Sequence, residues 1–138
     1  ENLAAIAGLV EAIERFVPTP VFERGRLELL NCRLSSMGEI DGIIYLPLAK
    51  RLANTVSFTV PGIDSITQLA ALDLDGICAS AGSACSAGSL NPSHVLSAMG
   101  KSDNEANSLV RFSLGRETTE DEINFVLASF LNFVEANR

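Results

Sequence analysis

Two side chains in this 138-residue sequence have the chemistry to act on a small molecule, and each stands in a run that would present it. Cys85 lies in Ala79-Ser80-Ala81-Gly82-Ser83-Ala84-Cys85-Ser86-Ala87-Gly88-Ser89. A stretch so rich in Gly, Ser and Ala has little to pack down and reads as loop rather than core. A thiol carried on it is exposed and able to travel, which suits a nucleophile that must reach more than one place. The same features also describe a surface cysteine of no consequence, because thiol reactivity is set by the charges and burial around it. No base adjoins Cys85; His94 and more distant basic residues are the nearest candidates. Ser83 and Ser86 are neighbouring hydroxyls, but the G-x-S-x-G pattern of a hydrolase elbow is absent. So are the local signatures of the common cysteine proteases.

Arg111 is the second such residue. In Leu109-Val110-Arg111-Phe112-Ser113-Leu114, period-two alternation puts Val110, Phe112 and Leu114 on one face and Arg111 with Ser113 on the other. A mid-strand arginine can face solvent, pair with a structural carboxylate, or hold a ligand carboxylate bidentately from a mount whose direction the sheet fixes. Residue types alone leave the three open. The remaining candidates read as structural. Cys78, among apolar residues, reads as a buried thiol, and Cys32 as incidental to a helical pattern. His94 reads as a contact at a helix start. Asn54 either shapes the beginning of a strand or touches a ligand.

Composition narrows the classes. A net charge of −7 argues against nucleic acid or an anionic membrane as a main partner, since both call for a basic face. No apolar run is long enough to span a membrane, and no basic segment followed by an apolar one opens the sequence as a signal peptide would. Three cysteines with no C-x-x-C make a poor disulfide framework and point to a reducing, cytoplasmic setting. With His94 the sole histidine, no metal site is expected.

The elements that must hold these residues follow from periodicity. Leu3, Ile6, Ala7, Val10, Ile13 and Phe16 predict an amphipathic helix from about Asn2 to Phe16, ended by Val17-Pro18-Thr19-Pro20. Leu27, Leu30, Leu34 and Met37 predict a second. Ile43 to Leu46 is a short strand closed by Pro47, and Val56, Phe58 and Val60 alternate with threonine and serine in another. After the Pro61-Gly62 turn, Asp64 or Ser65 caps a helix through Ile66, Leu69 and Leu72, ended by Gly76. Ile77-Cys78-Ala79 is a brief strand feeding the Cys85 loop. Pro92 and Ser93 start a short helix that stops at Gly100. Leu109 to Leu114 is the clearest late strand, and Thr119 with Glu122 forms a capping box for a helix whose stripe runs through Ile123, Val126, Leu127, Phe130 and Val134. The expected fold is α+β, one domain over residues 1–138, with a small mixed sheet and helices packed on one side.

Three stretches resemble one family in the right order. The run from Ser80 to Leu96, with Ser83-Ala84-Cys85-Ser86 at its centre, is similar to the catalytic-cysteine segment of NifS-like cysteine desulfurases. These are pyridoxal-phosphate enzymes of the class V aminotransferase family, and the form resembled is the long-loop group. Val110-Arg111-Phe112-Ser113-Leu114-Gly115-Arg116 followed by Thr118-Thr119-Glu120 resembles the segment with the substrate-carboxylate arginine. Arg51 to Phe58 resembles the strand that opens the small domain's sheet, with Ala53 where proline is more usual. Asn91 stands where an acidic residue is common, and Ser86 where threonine often occurs.

The resemblance implies that Cys85 takes sulfur from L-cysteine as a persulfide, leaving L-alanine, and that Arg111 pairs with the substrate carboxylate. It implies a homodimeric enzyme that passes sulfur to an acceptor such as an iron–sulfur scaffold protein. It also implies that this chain is the C-terminal small domain of the fold-type I architecture, with the large pyridoxal-phosphate-binding domain absent. Lys50 and Lys101, the two lysines, match no Schiff-base motif, and His94 does not match the histidine that stacks on the cofactor. No tightly bound cofactor and no activity are therefore expected of the chain alone. A selenocysteine lyase domain, and a non-catalytic subunit that pairs with a separate large-domain chain, are the alternatives.

Overall fold

A computed structural model describes residues 2–17, 23–47, 52–82 and 92–137. Its elements in chain order are α1 (Leu3–Phe16), α2 (Arg24–Ser35), a 3-10 turn (Ser36–Glu39), β1 (Ile44–Tyr45), β2 (Thr55–Thr59), α3 (Ser65–Leu74), α4 (His94–Ala98), α5 (Asp103–Asn107), β3 (Leu109–Ser113) and α6 (Glu120–Ala136). The strands form one sheet in the order β1-β2-β3. The α+β class is the expected one. Among the described residues the sheet is not mixed, however: both strand pairs are antiparallel.

Alternation sorts the sheet's faces. Val56 lies opposite Phe112 and Phe58 opposite Val110, and all four are buried beneath α2, α3 and α6. An aromatic chain crosses this core from Tyr45 through Phe58, Phe112 and Phe130 to Phe133, with ring centroids 5.7 to 6.4 Å apart. Tilted, edge-on and stacked contacts at these spacings add to simple burial. Buried amides tie helices to other segments: Asn31 donates to the Thr55 carbonyl of β2 at 3.0 Å, and Gln68 donates to the carbonyls of Ile63, before α3, and Ser108, between α5 and β3, at 2.8 and 2.9 Å.

The opposite face carries Thr55, Ser57, Thr59, Leu109, Arg111 and Ser113. Helices were expected on one side only, but α4 and α5 cover one end of this second face. There Leu96 and Ala106 bury Leu109 and Leu46 in a separate small core. Thr59 is sealed beneath them while Ser57 and Arg111 stay partly open. Helix α5 is an element the periodicity missed, since its single buried residue is Ala106 and its signal is the capping box of Ser102 and Glu105.

Helix ends follow from backbone bookkeeping. Gly76 at φ +74° lets its N–H reach the Asp73 carbonyl and the Ile77 N–H reach Leu72, the paired bonds that close α3. Gly100 at φ +77° closes α4 the same way, with Lys101 donating to Leu96. Ile77 is thereby consumed in capping, and the strand expected at 77–79 does not form. The chain meets the sheet one residue later, by a single antiparallel bridge between Ser80 and Arg111. Helix α1 forms as expected, with Asn2 capping Ala5, yet none of its residues is buried and its apolar stripe from Leu3 to Phe16 is exposed.

Candidate active site

Arg111 sits at the middle of β3, flanked on both sides by serines. Its N–H donates to the Ser80 carbonyl at 2.7 Å and its carbonyl accepts from the Ser80 N–H at 3.0 Å. Both backbone groups thus point to Ser80. Toward β2, Arg111 faces Ser57, whose own carbonyl accepts from Leu46 on the far side at 3.0 Å. Ser57 and Arg111 are therefore a non-hydrogen-bonded cross-strand pair, the type in which Cα atoms approach to about 4.5 Å and side chains come closest. Bridged and paired residues share a face, so Ser57, Arg111 and Ser80 make one row across the sheet. All three are partly buried.

Arg15 and Arg111 are the described arginines with no side-chain partner among the described residues, and of the two only Arg111 is partly buried. Arg24 pairs with Glu28, Arg33 with Glu120 and Arg116 with Glu117, and Arg26 donates to the carbonyls of Arg116 and Thr118. The guanidinium of Arg111 has no hydrogen bond or ion pair among the described residues, and neither do the hydroxyls of Ser57 and Ser80. A partly buried cation without a counter-ion among the described residues, mounted between two hydroxyls, is suited to a carboxylate brought by a ligand.

The other sequence candidates are placed as follows. Cys85, Ser83, Ser86 and Lys50 lie outside the described residues. Cys78 is exposed, not buried as its apolar neighbours suggest. Closure of α3 turns Ile77 inward, and the next side chain along extended backbone points the other way. Cys32 is exposed on α2. His94 is the first residue of α4, exposed, and the cap is Ser93. Asn54 shapes the start of its strand: its side-chain amide donates to the Leu114 carbonyl at 3.3 Å while its backbone carbonyl accepts from the Leu114 N–H at 2.7 Å, clasping the start of β2 to the end of β3. Ser57 and Ser80 join Arg111 only through strand pairing, since serine in a strand or a loop carries no signal until it is brought beside a charge.

The described residues do not fit a pyridoxal phosphate. Their one lysine, Lys101, donates to Glu105 at 2.9 Å and is committed to that pair. An open depression lined by Gly115, Arg116, Glu117, Thr118 and Glu122 sets two carboxylates against one guanidinium that is itself paired with Glu117, a poor charge balance for a phosphate. Among the described residues no group of three metal-ligating side chains occurs, and no helix is long and apolar enough to cross a membrane.

Comparison with known proteins agrees across the chain. The family model for class-V aminotransferases matches residues 1–126. A cysteine desulfurase IscS of Clostridium botulinum is 36% identical over 143 residues, covering 100% of this chain and 36% of its own length. A cysteine desulfurase of Nostoc sp. is 38% identical over 145 residues, covering 100% and 35%. The cysteine desulfurase NifS of Azotobacter vinelandii is 39% identical over 134 residues, covering 92% and 32%. The X-ray structure of a NifS-like protein from Rickettsia africae superposes with a TM-score of 0.70 at 27% identity, over 81% of this chain and 29% of that one. The chain spans about a third of the length of the curated relatives it matches.

Proposed function

The chain belongs to the class-V aminotransferase family, and on that premise we propose that residues 1–138 are the C-terminal small domain of a cysteine desulfurase. The observation that carries this reading is Arg111, whose guanidinium has no partner among the described residues and whose backbone is bridged to Ser80, in the run that leads to Cys85. Arg111 holds the carboxylate of L-cysteine. Cys85 receives its sulfur: the thiol and L-cysteine become a persulfide and L-alanine, a sulfur–sulfur bond forming as the substrate's carbon–sulfur bond breaks and carbon takes a proton. Atoms balance with no external oxidant. The pyridoxal phosphate expected of such an enzyme belongs to a larger domain, and the persulfide passes to a sulfur acceptor or an iron–sulfur scaffold protein. The enzyme is read as a cytoplasmic homodimer, and the small domain alone as inactive.

The test is made in the full-length enzyme. Cys85→Ser should retain bound cofactor and L-cysteine but yield no persulfide, read by alkylation and mass spectrometry of the peptide around residue 85. Sulfide release at the normal rate from Cys85→Ser would falsify the assignment. Arg111→Ala should weaken substrate binding by about 2–4 kcal/mol.

A further inference from the structure

We propose that the carboxylate clamp is a row of three donors, with the hydroxyls of Ser57 and Ser80 completing what Arg111 begins. The inference rests on the reading of Arg111 given above. A carboxylate has about four lone-pair sites, and a bidentate guanidinium uses two of them. In a partly buried site the remaining oxygen lone pairs need donors or lose their hydration uncompensated. The row supplies donors on both sides. Ser57 is the non-hydrogen-bonded partner of Arg111 across β2 and β3, so its side chain stands at the closest cross-strand spacing. Ser80 is the hydrogen-bonded partner on the other flank, its orientation fixed by two backbone bonds to Arg111. Neither hydroxyl is engaged among the described residues, and both are partly buried, so each is free to turn toward an anion held by the guanidinium.

The row is also held in place. Leu46 lies beyond Ser57 and is buried against Leu96, Ala106 and Leu109, which anchors one end of the face. The closure of α3 at Gly76 and Ile77 anchors the chain that delivers Ser80. Ser57 and Ser80 are thus positioning residues for a ligand carboxylate, and substrates lacking that carboxylate should not sense them.

Steady-state kinetics of the full-length enzyme with L-cysteine test this, with Arg111→Ala run beside the serine variants. Ser57→Ala and Ser80→Ala should each raise KM about 3- to 10-fold with kcat within about twofold, the pattern of a lost binding contact. Ser57→Thr, which keeps the hydroxyl, should restore KM and guards against a folding artefact. If Arg111→Ala raises KM while both serine-to-alanine variants leave it unchanged, the three-donor row is overturned and the arginine clamp stands. If Arg111→Ala also leaves KM unchanged, the carboxylate reading itself fails. A fall in kcat at constant KM for Ser57→Ala overturns the positioning role.

Discussion

The Nζ of Lys101 lies 2.9 Å from Oε1 of Glu105, and that one carboxylate also takes the N–H and hydroxyl of Ser102. The pair joins the residue that closes α4 to the capping box that opens α5. It thereby holds together the short helices that bury Leu109.

Acid should loosen this unit. Glu105 is held below the usual carboxylate range, first by the hydrogen bond from Lys101 and then by Ser102. Asp64 is held low by the hydroxyl and N–H of Thr67. A carboxyl that titrates lower when folded binds fewer protons folded than unfolded. Its contribution is full above the unfolded values of about pH 4 and is lost as pH falls through the lower folded value. Thermal melts from neutral pH downward should show Tm falling below about pH 4. Glu105→Gln and Asp64→Asn should have a lower neutral Tm and a shallower acid fall; unchanged acid profiles would remove these groups from the account.

Phe130 is fully buried, with rings of Phe112 at 5.8 Å and Phe133 at 6.3 Å. Phe130→Ala should cost about 3–5 kcal/mol in chemical denaturation, from lost burial and the cavity left behind.

Gln68 is fully buried on α3 and serves two carbonyls of different segments. Gln68→Leu matches its size but strands both acceptors, so a loss of about 1–3 kcal/mol is expected. A neutral result would mean that water replaces the amide.

A Cβ placed on Gly38 would overlap Cβ of Tyr45. The 3-10 turn lies directly on β1 there, and the contact is with the base of a side chain that cannot swing aside. Gly38→Ala should destabilise by about 1–3 kcal/mol, seen as a lower denaturation midpoint with an unchanged slope.

The apolar stripe of α1 should be silent in the same measurement. Leu9 and Ile13 are 61% and 49% exposed, so Leu9→Gln with Ile13→Gln should leave the unfolding free energy within about 1 kcal/mol. A larger loss would show that α1 packs against the core.

Much of this was legible beforehand. The Thr119 and Glu122 capping box, the α6 stripe through Ile123, Phe130 and Val134, and the alternation of β2 and β3 are local patterns, and each appears where expected. Arg111 could be assigned to the polar face of its strand from alternation alone. Cys78 could not be assigned correctly, because its burial turns on how α3 closes. Ile77 looks like the start of a strand until its N–H is found bonded to Leu72. Asn31 and Gln68 gave no advance signal, since an amide on a helix reads as solvent-facing until another segment's carbonyl is brought to it.

By itself the sequence determined helix caps, strand faces and the kinds of side chain available for chemistry, because those depend on neighbours within a few residues. Only the tertiary structure decided which residues share a row. Ser57, Ser80 and Arg111 are separated by 23 and 31 positions along the chain. They meet because antiparallel pairing sets a register to the single residue, and a shift by one would turn each side chain to the opposite face.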